Sequence, residues 1–143
     1  MWLYRFIKCL KEDKELMDTL LKNTKTIAVV GLSDKPSRAS YDVARYMQSQ
    51  GYRIIPVNPG CSEILGEKCY PDLKSIPEPV DMVNVFRKAE DCLPVAMDAV
   101  SIGAKSLWLQ LGIINEEAQR YAENHGLTVV MDRCLMIDHR RSR

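Results

Sequence analysis

A glycine followed by hydroxyl and basic side chains makes one loop of the sequence suited to binding phosphate. Gly31 ends the apolar run Thr26–Val30, and Ser40 begins a stretch with helical periodicity. Backbone N–H groups at a helix N-terminus favour an anion, and the basic side chains before Ser40 add positive charge. The candidate binding residues here are Gly31, Leu32, Ser33, Lys35, Arg38 and Ser40. We expect Ser40 to cap the helix that it begins.

This loop departs from the G-x-G-x-x-G fingerprint of dinucleotide-binding turns. Ser33 replaces the second glycine, and Pro36 and Ser37 fill the stretch where the third would fall. A plain strand-to-helix connection with a capping serine is therefore the alternative interpretation.

The end of the next predicted strand, Tyr52–Val57, argues against NAD. An NAD-binding sheet carries an acidic residue there to hold the ribose hydroxyls, but the segment Gly51–Ser62 contains none. NADP is less excluded because it is held by cations, although Arg53 starts the strand rather than ending it. The candidate ligand-binding residues at this strand end are Val57, Asn58 and Pro59.

Later strands end on further candidates. Phe86 and Arg87 follow a third strand, where an aromatic ring can wall an adenine and a guanidinium can pair with phosphate. Gln110 follows the next strand, and Cys134 follows the last. The alternatives are core packing for Phe86 and an inert, buried thiol for Cys134.

No catalytic or metal-binding set is predicted. The two histidines are His125, to which we assign a structural role at a helix end, and His139 in the tail. The five cysteines include no C-x-x-C pair, so a zinc site is not expected.

The elements that position these residues alternate along the chain. A first helix is predicted from an N-cap at Asp13 to about Leu21, and the tail Asp132–Arg143 is expected to be frayed. The predicted strands are Thr26–Val30, Tyr52–Val57, Val80–Phe86, Ser106–Leu109 and Thr128–Met131, with an edge strand at Lys68–Tyr70. The predicted helices are Ser40–Gln50, Ala89–Ile102 and a helix capped by Asn115 and ending at Asn124, with one helical turn at Asp72–Ile76. Short connections and apolar strands predict an α/β fold with an open, doubly wound parallel sheet in three α/β/α layers. Ligands of such sheets bind at the carboxyl ends of the strands.

Composition limits the possible functions. The chain has 143 residues and a formal net charge of +1, which disfavours sequence-independent nucleic-acid binding. No apolar run approaches the length of a membrane helix, and charges interrupt the N-terminal segment. We therefore expect a single-domain cytoplasmic protein with reduced thiols.

Together these loops resemble a known family. Its features here are the Gly31–Tyr41 loop, Gly51-Tyr52, Pro56–Pro59, Gly66, Tyr70, Val80-Asp81, Val85–Arg87, Gly103–Lys105, Trp108–Gly112 and Val130–Cys134. In order and spacing they resemble the small stand-alone CoA-binding proteins, relatives of the CoA-binding domain of succinyl-CoA synthetase α subunits and ADP-forming acyl-CoA synthetases. The resemblance covers about Lys25 to His139.

The resemblance implies a Rossmann-like domain, residues 25–143, that binds coenzyme A or an acyl-CoA, preceded by a helical extension, residues 1–24. It implies that the Gly31–Arg38 loop meets the CoA phosphates, that Val57–Pro59 and Phe86-Arg87 border the adenosine, and that Gln110 lines the pantetheine side. The related synthetases need a second domain with a phosphorylated histidine, for which 143 residues leave no room. Binding without a complete catalytic site is therefore expected.

Two alternatives remain. One is a nicotinamide-dependent oxidoreductase or nucleotide sensor. The other is an interaction subunit that supplies a CoA site to a larger assembly or forms a homo-oligomer. For the latter, the segment Met1–Asn23 would dock through Trp2, Leu3, Phe6 and Ile7, although packing on its own sheet is the preferred interpretation.

Overall fold

The computed structural model describes residues 10–142, with side chains from residue 14 onward. Its centre is a sheet of five parallel strands: β1 (Thr26–Val30), β2 (Arg53–Val57), β5 (Met82–Val85), β6 (Ser106–Leu109) and β7 (Thr128–Val130). A short hairpin, β3 (Glu63–Ile64) and β4 (Glu67–Lys68), follows β2. The helices are α1 (Leu10–Asn23), α2 (Ala39–Ser49), α3 (Cys92–Ser101), α4 (Glu116–Asn124) and α5 (Leu135–Ser142). Single 3-10 turns lie at Leu73–Ser75 and Ala89–Asp91.

The strand order fixes where a ligand can enter. The order is β2-β1-β5-β6-β7, so the chain moves outward from β1 to β2 and then returns to the other side of β1. The carboxyl ends of β1 and β5 therefore flank the point where the winding reverses, which is the usual ligand crevice of such sheets.

Each face of the sheet has its own apolar layer. Ala28 and Val30 face a cluster that includes the buried apolar residues of α3 and α4. Ile27 and Val29 face a second cluster with residues from α1, α2 and α5. Because successive side chains of a strand point to opposite faces, both faces are covered. The predicted three-layer α/β/α fold with a doubly wound parallel sheet is confirmed.

Several predicted boundaries hold and others shift. Strands β1 and β6 have the predicted bounds, and Asn115 caps α4 by accepting a hydrogen bond from the Ala118 N–H at 2.9 Å. Helix α1 begins at Leu10, so Asp13 lies inside it and the predicted cap there is wrong. The predicted edge strand is replaced by the hairpin, and Tyr70 forms an isolated parallel bridge with Val57.

The prediction of a frayed C-terminal tail is also wrong. Residues Leu135–Ser142 form helix α5, in which Leu135, Asp138 and His139 are buried. Side-chain contacts stabilise this helix. The Arg133 guanidinium, just before its first turn, binds Asp138 through two hydrogen bonds of 2.7 and 2.8 Å. The Tyr46 hydroxyl likewise lies 2.8 Å from Nδ1 of His139.

Helix α1 packs on the body of the protein. Leu21 is buried in the second cluster, and α1 contacts α5. The residues named above for docking, Trp2, Leu3, Phe6 and Ile7, lie outside the described residues, and the division of the chain at residue 24 remains a prediction. Within residues 10–142, no helix is both long and apolar enough to cross a membrane.

Candidate functional site

Backbone hydrogen bonds join three strand ends at the winding reversal. The Gly31 N–H donates to the Val57 carbonyl at 3.0 Å, and the Phe86 N–H donates to the Val30 carbonyl at 2.8 Å. Gly31 has a φ of 86°, a conformation that side chains disfavour. A Cβ atom on Gly31 would overlap the Phe86 carbonyl oxygen, so only glycine fits without a shift. The predicted residues Gly31, Val57 and Phe86 are thus brought together.

The loop after Gly31 is held by its own hydroxyl groups. Leu32 is buried, and the Ser33 N–H donates to Oγ of Ser40 at 3.0 Å. The Lys35 N–H in turn donates to Oγ of Ser33 at 3.1 Å. The expectation that Ser40 caps α2 is therefore wrong, because the helix begins one residue earlier and the Ser40 hydroxyl anchors the loop instead.

This arrangement leaves the N-terminus of α2 without a side-chain cap. Arg38 occupies the N-cap position, and no side chain in the described part of the chain makes a capping hydrogen bond there. By contrast, α4 is capped by Asn115. Lys35 and Arg38 are exposed at the open end of α2. Free N–H groups and two cations together favour an anion.

The Asn58 amide ties the second loop to the first. Its Nδ2 donates to the Leu32 carbonyl at 2.9 Å, and its Oδ1 accepts from the Gly60 N–H at 2.8 Å. Pro59 is exposed beside it. The end of β2 therefore presents a neutral, structurally occupied amide where an NAD-binding sheet carries a carboxylate.

The basic side chain of β2 does not lie at the carboxyl edge of the sheet. Arg53 starts β2 at the opposite edge of the sheet and forms ion pairs with Glu67 at 2.6 Å and Glu78 at 2.9 Å. It is committed to those carboxylates, so it does not serve as the cation that an NADP 2′-phosphate needs at the carboxyl edge.

Phe86 and Arg87 differ in their exposure to solvent. Phe86 is half-buried and packs against the second cluster, so part of its ring serves the core. Arg87 is exposed at the carboxyl edge, where its guanidinium is presented to solvent.

Gln110 belongs to a buried polar group that includes Asn84, a residue that sequence reasoning missed. Gln110 is only 6% exposed, and its Oε1 lies 3.3 Å from Nδ2 of Asn84 and 3.4 Å from the Leu135 N–H, both of which donate to it. Asn84 is fully buried, and its Oδ1 has no hydrogen-bond partner within the described part of the chain. The available signal was an amide inside the apolar run Met82–Val85.

Cys134 is half-buried immediately before α5 and packs against the second cluster. Burial, followed by smaller electrostatic effects, raises the pKa of the thiols of Cys61 and Cys69. Burial and the neighbouring Asp91 raise the pKa of Cys92 to about 11. Within residues 14–142, no group of three or more His, Cys, Asp or Glu side chains is arranged to hold a metal ion.

A model of a known protein family matches most of this chain. The family model described as a CoA-binding domain matches residues 25–140, which include all of the candidate residues above. The chain belongs to the CoA-binding domain family. The resemblance inferred from the loops is thereby confirmed.

Relatives of this CoA-binding domain are of two kinds. One is the uncharacterized protein YneT of Bacillus subtilis, 47% identical over 120 residues that cover 84% of this chain and 89% of YneT. Another is the ADP-forming acetate–CoA ligase II of Archaeoglobus fulgidus, 30% identical over 69% of this chain but only 15% of the ligase. A solved structure, a hypothetical protein from Pyrococcus horikoshii, has a TM-score of 0.87 and 38% identity and matches 90% of each chain. This chain thus spans a small part of the ligases and most of the small relatives.

Proposed function

We propose that this CoA-binding domain binds coenzyme A, or an acyl-CoA, across the carboxyl ends of β1, β2 and β5. One observation carries the proposal. The uncapped N-terminus of α2 lies next to exposed Lys35 and Arg38, and the loop that leads to it starts at the bare backbone of Gly31 at the winding reversal. N–H groups, cations and close backbone access are what a pyrophosphate requires.

The charge pattern favours CoA over the nicotinamide cofactors. Coenzyme A carries a phosphate on its ribose O3′, which a carboxylate at the end of β2 would repel. Asn58 is neutral, and Arg87 adds an exposed guanidinium at the same edge. NAD lacks its usual carboxylate partner here, and Arg53 is held by Glu67 and Glu78.

The remaining candidate residues are assigned to different parts of the CoA molecule. Ser33 and Ser40 hold the conformation of residues 31–38, the proposed phosphate loop. Val57, Pro59 and Phe86 border the adenosine. Gln110 and Cys134 lie toward the pantetheine arm, where Gln110 acts by supporting the start of α5.

The proposal is one of binding rather than of a complete reaction. The ligases among the relatives are longer proteins, and this chain corresponds to 15% of one and 28% of the α subunit of another. Supplying the CoA site to a larger acyl-CoA enzyme assembly is therefore part of the proposal. A cytoplasmic location is also proposed, in keeping with the free thiols of Cys61, Cys69, Cys92 and Cys134.

Isothermal titration calorimetry of the full chain with CoA, dephospho-CoA, NAD and NADP tests the proposal. We expect CoA to bind most tightly and dephospho-CoA more weakly, because it lacks the 3′-phosphate. The proposal is wrong if CoA does not bind at millimolar concentration. Tighter binding of NADP or NAD would instead establish the oxidoreductase or nucleotide-sensor alternative.

A further inference from the structure

Cys134 is held at the carboxyl edge by its two chain neighbours. The Trp108 indole N–H donates to the Arg133 carbonyl at 2.8 Å, and the Leu135 N–H donates to Gln110 at 3.4 Å. The Asp138 N–H donates to the Cys134 carbonyl at 3.0 Å, so Cys134 occupies the N-cap position of α5. Its half-buried thiol is thus attached to a backbone that β6 holds in position.

Asn84 supplies an independent observation in the same layer. Met82 and Phe86, two residues away on either side, pack in the cluster to which Cys134 also belongs, so Asn84 faces the same side of the sheet. Gln110 Oε1 accepts from Leu135, which fixes that amide and obliges Asn84 to direct its Nδ2 toward it. The atom left without a partner in the described chain is therefore an acceptor, Oδ1 of Asn84.

A buried acceptor without a donor costs free energy that a bound molecule can recover by bringing a donor. The pantetheine arm of CoA carries two amide N–H groups and ends in a thiol. A ligand whose phosphates lie at the N-terminus of α2 would extend this arm along the carboxyl edge, toward β6 and the start of α5. This step rests on the proposed function.

We propose that Cys134 is a covalent modification site for the disulfide of coenzyme A. The Cys134 thiolate attacks one sulfur of CoA disulfide, forming a Cys134–CoA disulfide as the S–S bond between the two CoA units breaks. One CoA leaves as the thiolate and takes up the proton that Cys134 released to solvent. The protein sulfur is oxidised, and the departing CoA sulfur is reduced.

The other described cysteines are poorer candidates. Thiol–disulfide exchange requires the thiolate, and burial raises the pKa of Cys61, Cys69 and Cys92. Cys69 and Cys92 are also buried, and Cys61 follows β2, which lies on the far side of β1 from β6. The exchange with CoA disulfide is therefore expected at Cys134.

The test is intact-mass spectrometry of the reduced, desalted full chain after incubation with CoA disulfide, followed by peptide mapping. We expect one CoA adduct on Cys134, reversed by dithiothreitol, absent in Cys134→Ser and retained in the control Cys61→Ser. Because binding would hold the reacting sulfurs together, the adduct should form about tenfold faster than with glutathione disulfide at equal concentration. Adenosine 3′,5′-bisphosphate, which matches the nucleotide end and has no thiol, should slow it.

Absence of the adduct, its formation on another cysteine, or equal rates with glutathione disulfide would overturn the inference. Calorimetric titration of Cys134→Ser with CoA distinguishes failure of the modification from failure of the proposed CoA binding. If CoA binds this variant but wild-type protein forms no adduct, the modification is wrong and the proposed function stands. If CoA binds neither protein, both are wrong.

Discussion

The backbone carbonyl of Phe86 occupies the space that a Cβ atom on Gly31 would need. This contact closes the ends of β1 and β5 at the winding reversal, where the Gly31 N–H also reaches Val57 on β2. The bare backbone of one glycine thus lets three strand ends converge, and the phosphate loop starts from that point.

Gly31→Ala should destabilise the fold strongly. The positive φ of 86° costs an L-residue about 1–2 kcal/mol, and overlap with the Phe86 carbonyl adds to this because backbone must move. Urea unfolding would measure the change. Gly103→Ala is the matched control, since its φ is 77° but no described atom lies within 4 Å of the added Cβ. Equal losses in both variants would contradict the contact argument.

Arg38→Ala should weaken CoA binding by about tenfold, the effect of losing one charge-assisted phosphate contact. Calorimetry would measure the affinity, and the loss should shrink as salt concentration rises. Arg45→Ala is the control, because Arg45 is an exposed arginine on the same helix that pairs with Asp42. A comparable loss of affinity in Arg45→Ala would show that net charge, rather than position, governs binding.

Substitutions of Asn58 should separate its structural role from its neutrality. Asn58→Ala removes the bonds to the Leu32 carbonyl and the Gly60 N–H, which should cost about 1–3 kcal/mol of unfolding free energy. Asn58→Asp keeps the acceptor but adds a negative charge near the proposed phosphates. We expect Asn58→Asp to bind CoA more weakly than Asn58→Ala, and the reverse order in titrations would exclude the charge argument.

Asp81 should make the stability acid-sensitive. Burial opposes ionisation of its carboxyl, but the N–H groups of Lys25 and Thr26, with the charges of Lys105 and Lys25, lower the pKa below its ordinary value. Its contribution is therefore complete above the ordinary carboxyl pKa near 4 and is lost as pH falls through the lower folded value.

Unfolding free energies measured from pH 6 downward would test this. Wild-type protein should lose stability on acidification more steeply than Asp81→Asn. Glu78, whose pKa is lowered by its hydrogen bonds to Arg53, adds a similar slope to both proteins, so the difference between them isolates Asp81. Parallel pH profiles would contradict the assignment.

The parts of the fold that the sequence predicts depend on local patterns. Thr26–Val30 and Ser106–Leu109 were recognisable because strands buried on both faces are continuous apolar runs. The start of α4 was recognisable because Asn115 bonds within its own helix, to the Ala118 N–H.

The failures depend on side-chain contacts that apolar periodicity and capping rules do not reveal. Helix α5 shows little apolar periodicity and is stabilised by the local pairing of Asp138 with Arg133 and by His139 meeting Tyr46, 93 residues away in sequence. Ser40 looked like a cap, but its hydroxyl accepts from Ser33 instead. The Asn84–Gln110 contact joins β5 to the residue after β6, 26 residues away in sequence. An amide inside an apolar run marks Asn84, but no local pattern indicates its partner.

The central claim is that CoA occupies the carboxyl edge of the sheet, and an NMR titration of the isotopically labelled full chain with CoA tests it most directly. We predict that the amide signals of Gly31, Ser33, Asn58 and Arg87 move, while those of Thr26, Gly51 and Tyr52 at the opposite edge stay in place. Shifts confined to the opposite edge, or no shifts with CoA at millimolar concentration, would contradict the account.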